Sequence, residues 1–351
     1  MSKEEQAREM SGRNLSKKAY RTLLAGLIVL LAGLALLSLC VGRYRVSVAD
    51  VVHIFMSRVM PVEKVWEDMQ ESVIFTLRLP RIAGAVLVGG ALSLSGAAYQ
   101  GVFKNPLVSP DLLGVSSGAC VGASLAILMH AGSAGIQASA FVWGMITVGL
   151  TVLIPRLLKN NSITMLVLSG VIVSGVMNSL MGVIKYLADP ETELAEITYW
   201  QMGSLAKVIP GDLYAVAVPI LVASAIIIAI RWQINILSLG DAEARTLGIR
   251  IGLVRGIIIL CATLLTASAV CLCGTIGWVG LVIPHLGRIL AGPDNVKSIP
   301  VSFVLGAAFM LAIDTLARAL TSMELPLSIL TGLIGAPFYL YILTKQRMKL
   351  S

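Results

Sequence analysis

Chemistry in this chain would have to come from very few residues. Asp314 and Arg318 stand at i and i+4, a spacing that pairs them on one helical face. Asp314 is the one carboxylate positioned to serve a proton- or sodium-coupled carrier inside a membrane, and Arg318 already offers it a structural partner. His285 with Asp314 would make an acid–base pair on paper, yet no His-Glu-x-x-His or Gly-x-Ser-x-Gly string accompanies it. His53, His130 and His285 are too scattered for a metal site, and the Cys271 to Cys273 spacing is neither a redox nor a zinc pair. No Gly-x-x-x-x-Gly-Lys-Ser/Thr loop occurs, nor any Gly-Lys pair, so this chain has no such cradle for nucleotide phosphates. These residues describe a protein that is not an enzyme, binds no cofactor or metal of its own, and draws its energy from elsewhere.

A different kind of work is suggested by Leu237 to Arg255, a long polar, helix-compatible passage set among apolar segments. Asp241, Glu243, Ala244 and Arg245 read as a short helix with acidic residues in its first turn and a stop at Gly248. It is too polar to enter lipid, and Arg231, Arg245, Arg250 and Arg255 assign it to the cytoplasmic side. Either it is an ordinary solvated loop, or it receives a soluble partner that moves the chain.

The elements that carry these residues follow from composition. Of 351 residues 57% are hydrophobic and 13% charged, with several apolar runs near the ~20 residues that cross a bilayer. The reading is an all-α polytopic membrane protein with about ten transmembrane helices: 22–41, 80–102, 112–130, 138–157, 164–187, 213–231, 251–272, a short span around 274–288, 299–318 and 326–343. Residues 1–21 are expected as a cytoplasmic tail, 22–344 as one transmembrane domain, and 345–351 as a second cytoplasmic tail. With these spans the inward segments hold 18 Lys/Arg against 7 Asp/Glu, and the outward ones 9 against 12. The net charge of +8 is then topological rather than a sign of nucleic acid, and both termini are cytoplasmic. Leu39 is too bulky for a lipoprotein cleavage box ending at Cys40, so no cleaved signal is expected.

Within this frame the second span is rich in small residues, from Gly84 to Gly96, and is expected as a buried, tightly packed helix. It ends at a loop, Lys104 to Asp111, broken twice by proline, where Asn105 and Leu107 are either simple loop structure or a constriction at the inner mouth. On the fifth span Gly170, Ser174 and Asn178 recur at roughly helical spacing and are expected to share one non-lipid face. The span near Gly274, Gly277 and Gly280 is expected to be short and broken near its inner end. Spans two to five enter from outside and spans seven to ten from inside, so two halves would be inverted relative to each other.

Several passages together resemble the FecCD family of ABC importer membrane subunits, over about residues 75–343. They are Arg78-Leu79-Pro80-Arg81; Ser95-Gly96 with Gln100; Asn105-Pro106-Leu107 through Leu113-Gly114; Leu239-Gly240 with Ala244 and Leu247-Gly248; Gly280 to His285 with Arg288; Asp314 with Arg318; and Glu324-Leu325-Pro326. The resemblance implies a type II ABC importer permease in a bacterial cytoplasmic membrane. It implies a homodimer, two cytoplasmic ATPase subunits that use ATP-Mg, and an extracytoplasmic binding protein delivering an iron-siderophore, haem or cobalamin-like metal chelate. Leu239, Gly240, Asp241, Glu243, Ala244, Arg245, Leu247 and Gly248 would then couple to the ATPase, and the halves would rock in alternating access. Asn105, Leu107, Ser162, Thr164, Gly170, Ser174 and Asn178 would belong to the pathway or its gate. Arg78, Arg81 and Arg318 would present positive charge to acidic residues of the binding protein, unless they merely snorkel to the outer interface. Asn160, Asn161, Trp278 and Ser328 depart from the family's pattern. The other reading is an ion-coupled secondary transporter.

Overall fold

The computed structural model describes residues 15–42, 44–160, 162–321 and 323–347; Lys3, Arg8, Arg13, Asn161 and Lys349 lie outside them. The chain is built from helices α1 (Lys17–Cys40), α2 (Val48–Met56), α3 (Asp68–Phe103), α4 (Val115–Leu128), α5 (Ser133–Leu157), α6 (Ile163–Leu187) and α7 (Glu193–Met202). There follow α8 (Pro210–Ala229), α9 (Arg231–Leu239), α10 (Asp241–Thr246), α11 (Ile251–Cys273), α12 (Val279–Ala291), α13 (Asn295–Ala319) and α14 (Leu327–Arg347). Seven of them, α1, α3, α5, α6, α8, α11 and α13, are long and apolar enough to cross a bilayer. The shorter apolar helices α4, α12 and the 327–341 part of α14 bring the number to ten among the described residues, as the apolar runs predict. Helix α1 begins at Lys17, inside the stretch expected as tail, because Ser16 caps it by accepting from the Ala19 amide at 3.2 Å.

Helix α3 is the axis of the fold, with 83% of its most apolar stretch buried, whereas α1 is 17% buried and lies at the periphery. Its small residues allow this. A Cβ added at Gly89 would run into the Gly306 carbonyl of α13, and one at Gly96 into the Gly280 carbonyl of α12. Against α11 the packing is polar as well as close: the Ser95 hydroxyl donates to the Ala262 carbonyl at 2.9 Å and meets the Thr266 hydroxyl at 2.9 Å. Before Pro80 the helix contains a π-helical turn, Val73–Arg78, at its entry.

Both halves repeat one order: a long buried helix, a backbone break, a short helix, then long helices. In the first half α3 ends at Lys104 in the left-handed conformation, and the chain passes through a 3-10 turn, Pro110–Leu113, before α4. In the second half α11 ends at Gly274, and residues 274–278 are non-helical before α12. Each break seats on a glycine of a later helix. A Cβ at Gly170 in α6 would meet the Leu112 carbonyl, and one at Gly335 in α14 would meet the Trp278 side chain.

Here the structure corrects the expectation for the short eighth span. Its non-helical backbone precedes α12 at the end where α7 and Glu324 lie, and α12 continues through Pro284 to Ala291. Inversion requires this placement, since a break at the basic end of one half must fall at the opposite end of the other. The polar groups at that break find partners on α7 and just after it. The Thr275 hydroxyl donates to the Gln201 carbonyl at 2.6 Å and the Ser204 amide to the Cys273 carbonyl at 2.8 Å. Ser328, a departure from the family pattern, donates to the Met202 carbonyl at 2.7 Å and ties α14 to the same place.

Candidate functional site

The basic end of the bundle carries α9 and α10. Ile234, Ile236 and Leu237 bury one side of α9 against the spanning helices, and Ala244 alone of α10 is buried. Leu239 and Leu247 remain 66% and 56% exposed, flanked by exposed Glu243, Arg245, Thr246 and Gly248. Two glycines shape this platform. Gly240, at φ 153° and ψ 157°, joins α9 to α10 through backbone that only glycine adopts readily, and Gly248 at φ 78° ends the second helix in the left-handed conformation. The platform is anchored rather than loose: the Arg255 guanidinium on α11 donates to both Asp241 carboxylate oxygens at 3.0 and 3.2 Å. Asp241 thus faces the chain's own α11, while Arg245 and Glu243, the latter's carboxylate folded back over Gly240, stay exposed.

Next to the platform lies the loop 104–109. The Asn105 side chain accepts from the Leu107 amide at 2.9 Å, a local turn that holds Leu107 outward and exposed. On α6 the expected single face is divided. Gly170 is buried beneath Leu112, and Ser174 lies partly covered beside Gly114, so both serve the seat of the first break. Asn178 instead joins Thr164, Gly175, Ser179 and Gly182 on an exposed face that also carries Leu168, Val171 and Tyr186. Ser162 caps α6, its hydroxyl accepting from the Met165 amide at 3.2 Å, and its own amide donates to the Asn160 side chain at 3.2 Å.

At the opposite end Arg78, Arg81 and Arg318 come together, but their guanidiniums turn into the protein. The Arg81 Nε donates to both oxygens of Asp314 at 2.9 and 3.0 Å, and its Nη1 reaches Glu324 at 2.9 Å. Arg318 Nε stands 3.6 Å from Asp314, at the predicted i, i+4 pairing, and its Nη2 donates to the Ser38 carbonyl at 2.8 Å. Arg78 donates to the carbonyls of Leu39 and Tyr44. The cluster clasps α1, α3 and α13 at one end, and Asp314, 0% exposed, is its centre. Of the three arginines, Arg318 alone lines the open cleft of about 760 Å³ beside it, with Arg45, Ser47, Asp50 and Thr321. The sequence pattern shows the Asp314–Arg318 pair but not Arg81, whose position 233 residues away no periodicity reports.

Sequence reasoning also left the side-chain role of Gln100 unread. Its Nε2 donates to the Val108 carbonyl at 3.1 Å and the Leu281 carbonyl at 3.2 Å, and its Oε1 accepts from Arg288 at 2.6 Å. A glutamine near the end of the apolar, glycine-rich part of α3, with an arginine on a later helix, is the available signal. Among the described residues no group of three or more His, Cys, Asp or Glu side chains is gathered to hold a metal ion.

Comparison with known proteins accords with this architecture. The chain is 40% identical over 92% of its length to the molybdate import system permease protein MolB of Haemophilus influenzae, covering 95% of that protein. It is 37% identical to the cobalamin import system permease protein BtuC of Halobacterium salinarum, over 80% of this chain and 76% of that one. It is 33% identical to the hemin transport system permease protein HmuU of Yersinia pestis, over 80% and 85%. A solved inward-facing structure of a metal-chelate type ABC transporter superimposes with a TM-score of 0.83 at 38% identity, covering 93% of this chain and 99% of that one. With residues 27–345 matching its sequence pattern, and with the paired breaks and the exposed platform already in view, the chain belongs to the FecCD transport family.

Proposed function

We infer that this chain is the membrane-spanning permease subunit of a binding-protein-dependent ABC importer, working as a homodimer with two cytoplasmic ATPase subunits in a bacterial cytoplasmic membrane. The observation that carries the reading is the platform: an exposed, rigidly anchored segment with two outward leucines on a chain that has no nucleotide cradle of its own. ATP-Mg is bound and hydrolysed by the partner, this chain holds no cofactor, and the substrate leaves chemically unchanged. The basic end faces the cytoplasm, and both termini lie there with it, in keeping with the charge distribution.

The binding protein docks at the opposite end. Arg45 offers it positive charge from the open cleft, while Arg78, Arg81 and Arg318, turned into the protein, hold α1, α3 and α13 together beside that cleft. The pathway runs along the exposed face of α6 past Thr164 and Asn178 to the mouth loop with Asn105 and Leu107, and Gly170, Ser174 and Ser162 hold that route in register. Its uncharged lining suits a bulky metal chelate of the iron-siderophore, haem or cobalamin kind, relatives of which class are imported by similar permeases. Molybdate is the second substrate reading, favoured by the near full-length relative that imports it.

Reconstitution with the ATPase and binding protein tests this. Glu243→Lys and Arg245→Glu are expected to leave folding intact and to uncouple hydrolysis from uptake; unchanged coupling in both variants would overturn the assignment of the platform. Uptake that persists after ATP depletion with the membrane potential clamped would instead favour ion coupling. Competition between radiolabelled molybdate and ferric chelates decides the cargo.

A further inference from the structure

Gln100 is 4% exposed and makes three hydrogen bonds with one amide, each to a different segment or helix turn. Both Nε2 hydrogens are spent on carbonyls, Val108 in the mouth loop and Leu281 in the first turn of α12, and the oxygen is spent on Arg288 two turns further along the same face of α12. The adjoining surfaces are tight. Pro110 packs where a Cβ on Gly280 would sit, so loop and helix touch directly as well as through the amide. One residue along, Gly101 receives Ile234 of α9: an added Cβ would lie 2.6 Å from the Ile234 methyl group. Asn235, the next residue of α9, accepts from the Asn295 amide at 3.1 Å at the start of α13.

Resting on the reading of α9 and α10 as the platform that an ATPase moves, we propose that Gln100 is the positioning residue that couples the platform to the mouth. A push on α9 reaches α3 at Gly101, where no side chain yields, and the neighbouring amide carries Val108 and α12 with it as one body. Leu107, next to Val108, moves with them. Without the amide, α9 would still bear on α3, but the loop and α12 would no longer follow.

The test uses the reconstituted complex and the number of substrate molecules taken up per ATP. Gln100→Leu removes all three bonds. Gln100→Glu keeps the size and the Arg288 contact but sets a carboxylate against two carbonyls. Both are expected to lower uptake per ATP at least tenfold while hydrolysis stays within about twofold of the parent. Ser95→Ala, on the same helix and equally buried, breaks bonds to α11 only and is expected to leave the ratio within about twofold. In a Leu107→Cys background, labelling by a water-soluble maleimide should differ between nucleotide-free and nucleotide-bound complexes, and the Gln100 variants should abolish that difference. Parent-like uptake per ATP, retained state-dependent labelling, or an equal loss in Ser95→Ala would each overturn the proposal. If Gln100→Leu does not fold, Gln100→Glu carries the test, and if neither folds Gln100 is a folding residue and the proposal fails. Failure of the platform reading itself looks different: uptake per ATP would stay at the parent value after both Glu243→Lys and Arg245→Glu.

Discussion

Replacing Asp314 by asparagine isolates the buried clasp. Asp314 is wholly buried and accepts twice from the Arg81 Nε, with Arg318 3.6 Å away on its own helix. Asparagine keeps the shape but withdraws the charge, so that Glu324 is the one carboxylate left to two buried guanidiniums. Removing one partner of a buried pair costs about 3–5 kcal/mol, chiefly because the remaining charge is stranded. Glu324, whose side chain is 28% exposed, is the less buried arm, and Glu324→Gln is expected to cost less, about 1 kcal/mol. At roughly 2 °C per kcal/mol for a chain larger than 250 residues, Asp314→Asn should lower the melting temperature by about 6–10 °C and Glu324→Gln by no more than about 2 °C. A thiol-reactive fluorophore reads this well, since Cys120, Cys261, Cys271 and Cys273 are buried until the bundle opens. Equal shifts for the two variants, or an Asp314→Asn protein that melts with the parent, would refute the view that the carboxylate at the centre of the clasp dominates it.

On α6, Asn178→Cys and Gly175→Cys are expected to react with a water-soluble maleimide in at least one transport state, while Ser174→Cys stays slow in all of them; the reverse order would move the pathway off this face. Gly240→Ala forces a side chain into backbone at φ 153°, and the strain, about 1–3 kcal/mol, should misalign α10 and weaken ATPase binding measured by pull-down while leaving the spanning helices folded. At the turn after α6, hydrogen bonds from the Thr192 hydroxyl and amide and the Glu191 amide hold the Asp189 carboxyl below its usual range. A lowered value means that the stabilisation is present above the unfolded-state value and is lost as pH falls through the folded one, so the Glu191 and Thr192 amides should exchange faster, after correction for intrinsic rates, only in that acid range. Protection that is flat with pH would count against the turn.

The spans were legible because each is an apolar run of nearly sufficient length, and α4 and α12 were placed despite being short because glycine and proline mark their ends. The direction of the three arginines was not legible. An arginine near the end of a span reads the same whether it snorkels, docks a partner or turns inward, and the deciding partners, Asp314 for Arg81 and the Leu39 and Tyr44 carbonyls for Arg78, are distant in the chain. The second break lies at the end opposite to the inner one that the sequence suggests, where Pro284 stands. In the structure α12 tolerates that proline, while Gly274 and Trp278, both at positive φ, make the interruption. On α6 a spacing of four drifts around a helix, enough to separate Gly170 under Leu112 from Asn178 in the open.

The π-helical turn at Val73–Arg78 makes the length of this stretch, and not only its composition, a selected quantity. A π turn holds one residue more than the α turn it replaces, so it behaves as an insertion absorbed into a continuous helix. Deleting Thr76 would let α3 relax to regular geometry with its two ends still in phase, whereas a residue added after Thr76, which no second bulge absorbs, would swing everything before it by about 100° relative to everything after it. Phe75 would leave the edge-to-face contact with Phe55, and Glu71 would lose Arg58, so α2 would detach from the bundle although no contacting side chain had been changed. Point substitutions along 73–77 should therefore be accepted far more readily than the gain of a single residue.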